Sequence, residues 1–354
     1  MANKVTGKTD ATGALNVAPH MLKSVLLVGQ KSGVPTTVVT PNTVFSITGT
    51  ADTAERFGAD SIMVKAVKAL IQNGVDNIYG VLVDSALTDG GKISDNYAKA
   101  LNASLGEVSV KCIIMDNYDT ANVTELKTHL ATAESEDMFR YAVIAATSDV
   151  DDEVVAFAED INDSRIFVVG PTFTDGTTAV SPVVVAAGVT GVIMTETSDP
   201  ALPMNGVVVH GIGNVNKTML ESNKSLYASN GVTALYNDGG SPVIHRLVTS
   251  YTADAVWQEG TTRFIADHVL ENIENILRTN YKRTKNVARI LDSIKTTVKG
   301  QLENFQALEI IENFDPSTLT VVKDPADMYG ALVDYEFDVV TPLYTITINQ
   351  HMKL

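Results

Sequence analysis

From Lys23 to about residue 197, short apolar runs ending in turn residues alternate with longer stretches in which apolar side chains recur every three or four positions. The runs Ser24–Gly29, Asn77–Val83, Val110–Met115, Tyr141–Ala146 and Arg165–Val169 predict strands buried on both faces, as in a parallel sheet, with Gly191–Met194 as a possible last strand. Between them, Ala59–Asn73 places Ile62, Val64, Ala66, Val67, Leu70 and Ile71 near one helical face, and Gly74 follows as a stop. Thr120–Ala133 and Asp151–Asn162 also read as helices. The second carries Asp151, Asp152 and Glu153 at the end where the helix dipole favours anions. Strand and helix in alternation predict an α/β domain built on a mainly parallel sheet with flanking helices.

The pattern breaks at Ser198-Asp-Pro200. Two turn-rich stretches, 198–206 and 236–242, bracket a strand at Val207–Val209 and a short helix near Met219–Tyr227. A long helical region is expected from about Thr262 to Glu303, with Phe264, Ile265, Val269, Ile273, Ile276 and Leu277 lining one face. Thr318–Val322 and Val333–Val339 then read as strands. In the second, Val333, Tyr335, Phe337 and Val339 alternate with Asp334, Glu336 and Asp338, so one side is expected to be wet. Pro342 interrupts the run, and a last strand follows it. The expected organisation is an N-terminal arm 1–22, an α/β domain 23–197, an α+β domain 198–341 and a C-terminal arm 342–354.

Length and composition fit two ordinary cores: 354 residues, 45% hydrophobic and 19% charged. The arm before Lys23 is too polar to pack a core, and it lacks the apolar region of a signal peptide. No apolar stretch is long enough to predict a transmembrane helix. A formal net charge of -16 argues against direct binding of nucleic acid or an anionic membrane by the chain as a whole. The lone cysteine, Cys112, falls in an expected strand and reads as a core residue.

Candidate chemistry is sparse. Gly211–Thr218 follows an expected strand and precedes an expected helix, so it approaches both the phosphate loop G-x-x-x-x-G-K-[ST] and the dinucleotide fingerprint. Asn216 stands where each motif requires glycine. A nucleotide-binding α/β enzyme using 211–218 is therefore the alternative reading. The six histidines are scattered without metal-ligand spacing, no G-x-S-x-G elbow is present, and no cofactor, metal or catalytic residue is expected.

The feature left over is a basic run. Residues 278–299 carry seven positive side chains and one acid, a local charge of +6 in an acidic chain. Arg278, Lys282, Lys285 and Arg289 have the spacing of one helical face, which would suit an acidic partner, although a solvated face has the same composition.

Several segments together resemble contractile-tail sheath proteins. Phe57-Gly-Ala-Asp-Ser-Ile-Met63 before a helix is similar to an early segment of that family, and Ser198–Gly206 resembles the stretch leading into its C-terminal domain. The most specific piece is Asn230-Gly-Val-Thr-Ala-Leu235 followed by Val243-Ile-His-Arg-Leu-Val-Thr-Ser-Tyr-Thr252, with the basic helix and a strand-ending C-terminus in the expected order. The resemblance implies a non-catalytic subunit of a phage or bacteriocin-like particle, synthesised in a bacterial cytoplasm and released with the particle. Its implied partners are further copies of itself, an inner tail tube, and baseplate and tail-terminator proteins. Arg278, Lys282, Lys285 and Arg289 would face the tube. The arm residues Leu343, Tyr344, Thr345, Ile346, Thr347 and Ile348 would add a strand to a neighbouring subunit. A self-assembling surface-layer or capsid-like protein is a weaker possibility.

Overall fold

The structure is a computed structural model of the chain and describes residues 24–33, 35–86, 91–344 and 350. The described residues form two compact units, 24–198 with 203–260, and 199–202 with 261–344. The border falls beside residue 260, whereas the sequence reading places it at 198.

The first unit runs through β1 (Ser24–Gly29), β2 (Val44–Ile47), α1 (Thr50–Phe57), α2 (Ile62–Gln72), β3 (Ile78–Leu82), α3 (Ile93–Ala103), β4 (Val110–Met115), α4 (Thr120–Ser135), β5 (Tyr141–Ala145), α5 (Asp151–Ile161) and β6 (Ile166–Gly170). There follow β7 (Phe173–Asp175), β8 (Thr178–Ala179), α6 (Pro182–Glu196), β9 (Asn214–Val215), α7 (Glu221–Ser229), β10 (Val232–Asp238), β11 (Ser241–Ile244) and α8 (Ala255–Gln258). The main sheet has the order β11-β10-β6-β5-β4-β1-β3-β2. Its middle strands are parallel, and β2 and β11 close the two edges antiparallel. Strand order reverses about β1, so the central part is a doubly wound sheet.

Period-two alternation sorts the strand residues between two helical layers. Leu26, Val28, Ile113, Met115, Ile144 and Val168 share a core with Leu101, Leu126, Leu130, Val154, Ala158 and Tyr227 from α3, α4, α5 and α7. On the other face α6 packs against β4, β5 and α2. Helix starts are fixed locally: the Asp119 side chain accepts from Asn122 N at 2.9 Å, and Ser61 Oγ accepts from Met63 N at 3.3 Å. The β10–β11 turn places Gly239 and Gly240 at φ 55° and 86°, the signs that a tight two-residue hairpin needs.

Two local expectations are corrected here. Gly191–Met194 is helical, the end of α6, whose residues Val183–Ile193 are all buried. A helix enclosed on every side has no polar stripe, and a short window of it reads like an interior strand. Val207–Val209 makes one bridge, Val208 to Val243, with Ile244 N donating to Val207 O and Val209 N to Pro242 O. It flanks β11 without forming a strand.

The first unit also buries a cation. Arg140 is 0% exposed, and Nη1 donates to Ser104 Oγ at 3.0 Å and lies 3.0 Å from His129 Nε2. Its Nη2 donates to Ser104 O and Glu107 O, both at 2.9 Å. These carbonyls lie just beyond α3, at the negative end of its dipole. Burial and the adjacent guanidinium push the His129 pKa down to about 3.

The second unit contains α9 (Gly260–Asn280), α10 (Ala288–Ala307), β12 (Ile311–Glu312), β13 (Thr320–Lys323), β14 (Ala331–Asp334) and β15 (Asp338–Val339). Its core joins Ile265, Val269 and Ile273 of α9 to Val298, Leu302 and Phe305 of α10. The His268 ring meets Phe305 edge-on, while the Tyr281 hydroxyl lies 3.0 Å from Ser293 Oγ and 2.7 Å from Thr297 Oγ1. Pairing early α9 with late α10, and late α9 with early α10, makes the two an antiparallel hairpin. One continuous helix from 262 to 303 is thereby corrected: residues 281–287 form a turn, with Arg283 at φ 58°. The expected strand 333–339 is interrupted between Asp334 and Asp338, yet its alternation holds, with half-buried Val333, Tyr335, Phe337 and Val339 between exposed acids.

Candidate functional site

Three places could carry function: the glycine-bearing loop at 211–218, the point of strand reversal, and the basic corner of the second unit. In the loop, Gly211 and Gly213 take φ 79° and 73°, and a side chain on Gly213 would overlap Thr174 O. Lys217 Nζ donates to Asp151 Oδ1 at 2.6 Å and to Asp149 O at 3.0 Å, and Asn216 Nδ2 donates to Asp149 Oδ2 at 2.6 Å. Burial works to raise the Asp151 carboxyl, but Lys217 and Asn223 outweigh it and hold it below the usual range. The lysine that would meet a phosphate is engaged by the chain's own acids, and α7 begins only at Glu221. The loop clamps 211–220 to the start of α5.

At the strand reversal, where doubly wound folds bind ligands beyond the strand ends, Asp116 follows β4. Its carboxylate accepts from Gln30 N at 2.7 Å and from the Tyr97 hydroxyl. Burial raises the Asp116 carboxyl against the lowering effect of those donors. A side chain on Gly29 would meet both Met63 and Asp116. The first backbone amide after β1, the kind that cradles phosphate in nucleotide sites, is thus spent on an internal anion.

The segment 243–252 has a structural task. Arg246 Nε and Nη2 donate to Glu259 Oε2 at 2.9 and 2.7 Å, and Glu259 is 6% exposed. Thr249 Oγ1 donates to Trp257 O, Ser250 N to Ile166 O, and Asp163 N to Ser250 Oγ. Gly231, at φ 74°, passes so close to Ser250 that a Cβ would lie 2.9 Å from its Cα. The conspicuous polar residues of this stretch splice residues 243–260 onto β6, β10 and the end of α5.

At the basic corner the turn separates the four cations. Arg278 lies in the last turn of α9, where Nη2 donates to Glu274 Oε2 at 3.3 Å. Lys282 and Lys285 are exposed in the turn, and Arg289 is exposed in the first turn of α10. They do not form one helical face. The sequence reading missed a pocket of about 420 Å³ between the α9–α10 turn and the β13–β14 connection. Its floor includes Leu277, Ile290, Leu291 and Ile294, and its rim includes Lys282, Arg283 and Lys285. Asn286 Nδ2 ties the two sides by donating to Gly330 O at 2.8 Å.

Of the expected arm residues, Leu343 is 69% exposed and Tyr344 follows it without assigned secondary structure, while Thr345, Ile346, Thr347 and Ile348 lie outside the described residues. The N-terminal arm 1–22 lies outside them too. Among the described residues, no group of three or more His, Cys, Asp or Glu is placed to hold a metal ion, and no helix is long and apolar enough to cross a membrane.

Comparison with known proteins gives a consistent result. Residues 90–250 match the model of the phage tail sheath protein central domain, and residues 252–353 match that of the phage tail sheath C-terminal domain. No curated protein matches by sequence. Among solved structures, the contracted helical sheath of the anti-feeding prophage superposes with a TM-score of 0.72 at 13% identity, covering 100% of this chain and 99% of that one. A sheath tail protein of Listeria innocua gives 0.70 at 12% identity, over 90% and 92% of the two chains. The contracted sheath complex of an extracellular contractile injection system, PVC, gives 0.66 at 12%, over 98% and 99%.

Proposed function

Because the chain belongs to the phage tail sheath protein family, a structural and non-enzymatic one, we propose that its copies polymerise around an inner tube and contract to drive that tube through a target envelope. The observation that carries this reading is the succession of the two sheath-domain matches, over 90–250 and 252–353. The internal engagement of Lys217 and Gln30 disfavours the nucleotide-binding alternative. Contraction then draws on a metastable lattice set up at assembly, in which rigid subunits rotate to a shorter, wider packing.

The arms join neighbours by strand addition. β13 and β14 pair only with each other among the described residues, and such a two-stranded sheet leaves its outer edges available for another strand. The arm 342–354 spans at most about 45 Å when extended. Arg278, Lys282, Lys285 and Arg289 supply the tube-facing charge. The remaining partners are baseplate and tail-terminator proteins. Assembly takes place in the host cytoplasm, and the particle acts after release.

Negative-stain electron microscopy of the purified chain beside one lacking 342–354 tests the polymer. Hollow cylinders lost on truncation are expected. Cylinders from both chains place the essential join elsewhere, and monodisperse particles from both under several salt conditions overturn the sheath reading. Reversing charge at Lys282 and Lys285 should weaken assembly on the tube, and unchanged assembly removes them from that interface.

A further inference from the structure

The corner that holds the 420 Å³ pocket also holds a feature shaped to fill it. The β13–β14 connection exposes Met328 (77%) and Tyr329 (82%), two large apolar side chains on a hairpin tip. Asp324 and Asp327 flank them. Asp324 Oδ1 accepts from Ala326 N at 2.7 Å and Asp327 Oδ1 from Tyr329 N at 2.9 Å, and Gly330 N donates to Asp327 O at 2.8 Å. The tip is therefore a hydrogen-bonded turn with a fixed shape. It presents an apolar knob between two carboxylates.

The pocket has the opposite character. Leu277, Ile290, Leu291 and Ile294 make an apolar floor, Lys282, Arg283 and Lys285 make a cationic rim, and no Asp or Glu is among its lining residues. Its volume falls within the range of about 300–1,000 Å³ typical of sites that enclose a bulky group. Tyr329 stands on the lip, so within one copy the knob borders the hole without filling it. An apolar anchor in a pocket with complementary charge around it is the usual composition of an energetically dominant contact.

We infer that the acidic Asp324–Gly330 tip of one copy seats Met328 and Tyr329 in the Leu277–Ile294 pocket of a second copy, with Asp324 and Asp327 facing Lys282, Arg283 and Lys285. Knob and hole adjoin on the same unit, with Tyr329 bordering both, and the contact runs head-to-tail, one copy giving the knob and the next the hole. It repeats from copy to copy, giving a ring if the rotation closes and a helix if it does not. It is a side-chain contact, independent of the terminal strands. Lys282 and Lys285 cannot meet an acidic tube and a neighbour's aspartates at once, so this contact belongs to assembly without the tube.

The test is tube-free assembly of the full chain, read as the critical concentration for polymer by light scattering and electron microscopy. Asp324→Asn with Asp327→Asn keeps the turn-holding oxygens and removes the charge, and Met328→Ser with Tyr329→Ser removes the knob. Each pair should raise the critical concentration at least tenfold while leaving the thermal midpoint of the dispersed chain unchanged. Lys282→Glu with Lys285→Glu should do the same, and adding Asp324→Lys with Asp327→Lys to that chain should return the critical concentration to within threefold of the parent. An unchanged critical concentration in the knob or aspartate variants overturns the contact. Loss in the lysine variant without recovery in the fourfold reversal also overturns it, because the lysines would then be meeting some other surface.

Discussion

His129 should make the first unit acid-sensitive in a way that one substitution removes. The ring is 2% exposed and lies 3.0 Å from the Arg140 guanidinium, so a proton on it would place two cations side by side in the core. Its pKa falls from an ordinary 6.5 to about 3. A base that is neutral in the folded chain and protonated in the unfolded one makes the unfolded chain bind more protons between those values, so stability rises with pH there. The contribution is complete above about pH 6.5 and is lost as pH falls toward 3. At pH 5 the loss relative to pH 8 is about 2 kcal/mol, set by the unfolded pKa so long as the folded value stays below about 4. His129→Gln supplies an amide oxygen for Arg140 Nη1 and does not titrate. Carboxylates such as Asp149 and Asp151, held low in the fold, lose stability in acid in both chains and cancel in the difference. Urea unfolding of the dispersed chain at pH 8 and pH 5 should show the parent losing about 2 kcal/mol more than the variant. Equal losses would show that Arg140 does not hold His129 neutral, and would refute the argument.

Two stability predictions accompany it. Gly58 takes φ 100°, and a Cβ there would lie 1.7 Å from Ser32 O, so Gly58→Ala should cost more than about 2 kcal/mol and calorimetry should show a clearly lower thermal midpoint. An unchanged midpoint would mean that the loop after β1 does not pack on the end of α1. Arg246→Met leaves the buried Glu259 carboxylate without its two-nitrogen partner and should cost about 1–3 kcal/mol; Glu259→Gln in the same chain should recover part of that, whereas strictly additive losses in urea unfolding would show that the pair is not coupled.

The parallel strands were legible because burial on both faces leaves an apolar run bounded by turn residues. β1 and β4 were placed to the residue, and β5 and β6 nearly so. The same rule failed at α6, where a fully enclosed helix carries no polar face to reveal its period. The α9–α10 region failed differently. Arg278, Lys282, Lys285 and Arg289 keep helical spacing across a turn, and nothing in charge periodicity records that Arg283 adopts a positive φ. β2, a short antiparallel edge strand with an intermediate burial pattern, gave too weak a signal. The pocket was not legible at all, because its floor and lip come from segments about 40 residues apart that only folding brings together. Arg246 and Ser250 were noticed as part of a sequence pattern, but their partners Glu259 and Asp163 could not be named before the fold was known.

The two antiparallel borders of the main sheet bear on how errors are avoided in a crowded cell. β2 offers only four residues, and β11 has its outer side bridged by Val208, so the larger unit gives a stray strand little to extend. The two-residue and four-residue pairings of the smaller unit are the recruitable ones. This layout keeps the bulkiest sheet inert and leaves open only strand pairs too short to template runaway fibres.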